Sequence, residues 1–217
     1  MKSHSNWSKY LLELLVVFMG VTAAFLLDGW RQNRTDRQLE QQYLQSFYRD
    51  LRSDMENLQT VIPSNQFKLK RVQTFLSLND PIDLDSVKTI LADMMSMEFF
   101  DKNISTYESI KNSGNLNIIS DYALKEDIVK YYEKFKLVDK VELVYQDWLN
   151  LYAIPYVYEN MDIVRQEFIS PDQIKGYQFK NTVAGYYALL SQNLEVYQAI
   201  AESNRDLLNQ LPQKTQP

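Results

Sequence analysis

The chain has 217 residues, of which 45% are hydrophobic and 24% charged, and its formal net charge is −5. That balance suits a chain that packs a core, and the negative sign disfavours nucleic acid, which requires a basic face. With no cysteine, disulfides, thiol catalysis and thiolate metal sites are excluded.

Only 5 glycines and 6 prolines occur, which predicts long helices joined by short connections. Residues 1–9 read as a short tail holding the single histidine, His4. The stretch KYLLELLVVFMGVTAAFLLDGWRQ follows. Its uncharged part, Leu14 to Leu27, spans about 21 Å as a helix, short of a hydrocarbon core of roughly 30 Å. The flanks lengthen it. Tyr10 to Trp30 is long enough to cross, Trp7, Tyr10 and Trp30 mark the ends as an aromatic belt does, and Lys9 and Arg31 bracket it. Leu26, Leu27, Asp28, Gly29 and Trp30 make a poor cleavage site, so a transmembrane helix over residues 10–30 is expected rather than a signal peptide. The alternative is a buried core helix.

At 100° per residue, Glu13, Val17, Gly20, Ala24 and Asp28 share a stripe about 80° wide. Gly20 and Ala24 form a small-xxx-small pair that lets another backbone approach, so the stripe is a candidate membrane-helix interface. Glu13 then bonds to a partner or joins an ion path. The competing account puts Glu13 in the first helical turn, reaching the headgroups, and Asp28 at the opposite boundary. Lys2, Lys9 and the amino terminus on one side balance Arg31, Arg34 and Arg37 on the other, so charge does not choose the orientation.

Residues 31–211 read as one helical bundle. Leu44, Tyr48, Leu51, Met55, Leu58 and Ile62 step by four and three, a heptad seam that continues the membrane helix as a stalk to the residue before Pro63. FKLKRVQTFLSL predicts a separate helix, closed by a turn at Asn79, Asp80 and Pro81. Asp85 is expected to cap a helix through Met97. Ser105 or Thr106 starts a short helix that stops at Gly114, and Ser120 or Asp121 caps a long one with an apolar stripe from Leu124 to Trp148. Pro155 interrupts the next segment, and Ser170, Pro171 and Asp172 mark a turn. The last helix carries Val183, Tyr187, Leu190, Leu194, Tyr197, Ala201, Leu208 and Leu211, spaced to pack antiparallel to the stalk. Residues 212–217 read as a disordered tail. No strand is expected, since NLNIIS is too short and isolated. The fold class is therefore all-α: a transmembrane helix continuing into a stalk within an antiparallel bundle.

No Ser-His-Asp arrangement, P-loop or calcium loop exists, and DPIDLD at 80–85 reads as a polar turn and cap. No enzymatic activity, cofactor or metal is expected. The residues Tyr152, Tyr156, Tyr158 and Phe168, near Pro155, are the candidate wall of a ligand pocket.

Two stretches carry a resemblance. LLDGWRQNRTDRQLEQQYLQSFYRDLRSDMENL and FFDKNISTYESIKNSGNLNIISDYALKEDIVKYYEKF resemble an uncharacterised bacterial group, domain of unknown function 6090. The second is similar to that group's signature at Phe100, Thr106, Tyr107, Ser113, Gly114, Leu116, Ile119, Leu124 and Tyr131. Asp28-Gly29 departs from it, many members being Asn-rich there. The resemblance implies a single-pass protein of the bacterial inner membrane and no assigned activity. The expected partners are the lipid bilayer and a second copy or another membrane protein, with no nucleic acid. A ligand-sensing extracytoplasmic bundle and a subunit of an ion-conducting oligomer are the alternatives.

Overall fold

The computed structural model describes residues 7–77, 83–165 and 167–211. Helix α1 runs unbroken from Trp7 to Ser77, 71 residues and so about 105 Å. Its packed seam is Leu44, Phe47, Leu51, Asp54, Leu58, Val61, Asn65, Lys68, Val72 and Phe75, a regular alternation of three and four. The apolar seam read from sequence shares Leu44, Leu51 and Leu58 with it, whereas Tyr48, Met55 and Ile62 lie half-buried at its margin. The shift arises because polar Asp54, Asn65 and Lys68 occupy seam positions.

Pro63 does not end α1, and the expected second helix from Phe67 is part of it. Pro63 and Gln59 are both on the exposed side, so the carbonyl that loses its helical donor lies on the wet face. Val61 and Asn65, buried on either side of Pro63, hold the helix straight through.

The expected turn at residues 79–81 lies outside the described residues. Helix α2 spans Leu84–Met95, with Asp83 rather than Asp85 as its cap; the Asp83 carboxylate accepts from the N–H groups of Asp85 and Ser86. From Met97 to Asn103 the chain forms a strap outside any helix or ladder, and Ile104 caps the helix that follows. Helix α3 (Ser105–Asn112) stops where Gly114 adopts φ 72°, as expected of a left-handed cap. Asn115–Ile118 forms a 3-10 turn, and Asp121 caps α4 (Tyr122–Glu133). The long helix expected from there is divided at Lys134, and α5 (Phe135–Trp148) follows.

A π-helical stretch, Leu149–Ala153, leads into α6 (Ile154–Asn160), so Pro155 opens a helix rather than interrupting one. One small hairpin corrects the expectation of no strand: β1 (Met161–Asp162) pairs antiparallel with β2 (Glu167–Phe168). Ser170 and Gln173 form a reciprocal capping box for a 3-10 turn over Pro171–Lys175, and α7 runs Tyr177–Gln210.

Helices α1 and α7 are antiparallel, as their seams imply. Phe75 meets Phe179 edge-on at one end, while Asn204 Nδ2 donates to Leu51 O near the other. The strap and α3 descend along α1, and α4 and α5 climb again, with Asn193 Nδ2 reaching Val141 O across α5 and α7. The result is an all-α bundle with four passes, up, down, up and down.

Gly185 lets α7 lie close against Trp148 of α5. A Cβ there would sit 2.8 Å from Trp148 Nε1, and that indole is stacked on Tyr186. Gly185→Ala should therefore destabilise the bundle by about 1–2 kcal/mol in denaturant unfolding, the overpacking exceeding the gain in helix propensity of about 1 kcal/mol.

Candidate functional site

Two features stand apart from ordinary core packing. The first is the amino-terminal third of α1. Its apolar window has a mean hydropathy of 2.3 and is 0% buried, so it is long and apolar enough to cross a membrane. Phe18, Phe25 and Leu26 are about 70% exposed or more, which rules out the buried core helix held open from the sequence. Residues 31–35 are exposed too; the first half-covered side chain is Asp36. The guanidinium of Arg34 lies over the Trp30 ring at 5.9 Å, a cation on the aromatic end of the apolar run.

Glu13, Val17, Gly20, Ala24 and Asp28 all lie on this bare helix, and none is covered by the body. Nothing comes within 4 Å of a Cβ placed on Gly20. At 100° per residue the stripe is centred roughly 130° from the bundle seam, so it faces a different direction from the stalk's packed side.

The second feature is the polar seam, which latches the strap. Asn103 donates to Asp54 Oδ1 through both its N–H and its Nδ2, each at 2.8 Å, and Tyr131 OH donates to Oδ2 at 2.8 Å. Asn204 Nδ2 donates in turn to Tyr131 OH at 3.0 Å. Asp54 is fully buried with no cation beside it, and burial pushes its pKa above the usual 3.8. Burial also drives the Tyr131 hydroxyl upward, with the Asp54 charge adding to the effect.

Further along the strap, Asn65 Nδ2 donates to Glu98 O, and Asn65 Oδ1 accepts from Glu98 N. Lys68 donates to Ser96 O, and Arg71 grips the buried Asp93 with two nitrogens. On the other side Phe100 N donates to Glu142 Oε1 and to Tyr197 OH. Strap amides that would otherwise be unpaired are thus satisfied by side chains of α1, α5 and α7. The sequence reading missed this set. The signal was present: Asp54, Asn65 and Lys68 fall on the three-four beat once polar residues are admitted to it.

The candidate pocket wall does not assemble. Tyr156 is buried and stacked on Phe179 at 5.7 Å; its hydroxyl donates to Gln173 O, and burial pushes its pKa up to about 12. Tyr152 and Tyr158 point outward, mostly exposed, and Phe168 is half-buried in the hairpin.

Among the described residues no three His, Asp or Glu side chains group as a metal site. Asp54, the carboxylate with a raised pKa among the described residues, lies in packed core and not in a cleft. No family profile, curated protein or solved structure matches the chain.

Proposed function

We propose that this is a single-pass protein of the bacterial inner membrane whose helical body associates with a second copy or with another membrane protein, and that it performs no chemistry itself. One observation carries the reading: an apolar segment long enough to span lipid has no cover from its own chain. Left in water, it would be a far larger exposed apolar surface than soluble monomers tolerate. The resemblance to domain of unknown function 6090 supports the same placement.

Association is drawn from Gly20 and Ala24, whose side of the helix is open to a close backbone. Confinement to the bilayer favours such contacts further. Gly20→Leu should weaken self-association at least tenfold in mild detergent, read by sedimentation across a range of protein-to-detergent ratios. A wild-type protein that stays monomeric at every ratio would remove the second copy as the partner, and gentle extraction with copurification would then identify another.

A further inference from the structure

A cleft of about 560 Å³ opens between the last turns of α1 and the first turns of α2, at the end of the bundle far from the bare helix. That volume lies in the range of small-molecule sites. Phe67, Lys70 and Phe75 line it from α1, and Asp85 and Ile90 from α2. Phe75 and Ile90 are buried and form an apolar floor, whereas Phe67 stands 61% exposed as a wall.

That wall is braced by Arg71, which also lines the cleft. Arg71 lies over the Phe67 ring at 4.6 Å and is itself clamped by Asp93, which is 4% exposed. Arg71 is therefore committed to the fold. So is Asp83, whose carboxylate accepts from Ser86 N, Ser86 Oγ and Asp85 N and already caps α2.

Among the described residues, two charges in the cleft remain uncommitted. The Lys70 ammonium and the Asp85 carboxylate have no hydrogen-bond or ion-pair partner among the described residues, including each other. One free cation and one free anion above an aromatic and aliphatic floor complement a molecule with the same two charges reversed.

We propose that the cleft binds a small zwitterion with an apolar side chain, the chemistry of an apolar amino acid. Lys70 holds its carboxylate, Asp85 its ammonium, and Phe67, Phe75 and Ile90 its side chain. The site is independent of membrane-helix association, and each can fail without the other.

The test uses the full chain in nanodiscs of neutral lipid, titrated by saturation-transfer NMR with three probes: phenylalanine, phenylalaninamide, which lacks the carboxylate, and N-acetylphenylalanine, which lacks the ammonium. Phenylalanine should bind about tenfold more tightly than either analogue. Lys70→Ala should erase its advantage over the amide, and Asp85→Ala its advantage over the acetylated form. Phe67→Ala should weaken all three probes. These three side chains are exposed, so the variants fold. No binding at millimolar phenylalanine, equal binding of the three probes, or an order unchanged by Lys70→Ala and Asp85→Ala would each overturn the proposal.

Discussion

Deleting residues 1–36 is expected to move the protein from the membrane pellet to the aqueous supernatant while leaving its cooperative thermal unfolding intact. Between Tyr10 and Trp30 stand eleven Leu, Val and Phe residues, together worth about −3 to −6 kcal/mol of insertion free energy at the helix centre. None of them touches the body, whose core begins at Leu44. The deletion should therefore change the stability of the body by less than about 1 kcal/mol. Fractionation with and without detergent, followed by calorimetry of the truncated chain, checks both halves. A full-length chain that stays in the supernatant without detergent would contradict the anchor. A truncated chain that fails to fold would mean that the bare helix has a structural partner.

Asp54→Ala is expected to cost about 3–5 kcal/mol, a large share of the 5–15 kcal/mol typical of a domain. The substitution removes the acceptor of three donors, from Asn103 and Tyr131, and leaves the buried Tyr131 hydroxyl to be satisfied by Asn204 alone. Urea unfolding of the truncated body measures the loss. Asp54→Asn separates shape from charge. Burial raises the Asp54 pKa above 3.8, so folding favours its protonated form. That contribution is fully present below 3.8 and is lost as the pH rises through the folded-state value. The stability of the wild type relative to Asp54→Asn should therefore increase as the pH is lowered from neutral toward 3.8. A difference that stays flat over that window would show that the burial of Asp54 is relieved by solvent.

Long apolar periodicity made the helices readable. The pairing of α1 with α7, the Gly114 stop and the Asp121 cap follow from residues whose local chemistry and long-range packing agree. The failures share a cause. Pro63 and Pro155 were weighed by local propensity, but burial on both sides of each carried the helical chain through, whereas nothing local marked the break at Lys134. The strap was illegible because its hydrogen bonds go to side chains far along the sequence, such as Asn65 to Glu98 and Tyr197 to Phe100. Its one legible trace was the polar beat at Asp54, Asn65 and Lys68. The bare stripe was visible as Gly20 and Ala24, whereas the aromatic residues around Pro155 suggested a pocket because sequence does not say that Tyr156 turns inward onto Phe179. The cleft between α1 and α2 needed two helix ends brought together, which no local pattern encodes.

The naked stretch of α1 between Trp30 and Asp36 has an electrostatic consequence. If Trp30 sits at a lipid interface, this stretch sets the nearest part of the body roughly 9 Å along α1 from that interface. The chain beyond residue 53 carries 16 basic and 23 acidic side chains. At physiological salt the Debye length is about 8 Å, so the body's repulsion from an anionic leaflet is partly screened across that gap. Arg31 and Arg34 lie within the gap and Arg37 at its edge, where each can gain about 1 kcal/mol from acidic lipid. In the membrane placement proposed above, the spacer would put three arginines nearest the lipid and set the acidic bulk about one Debye length back.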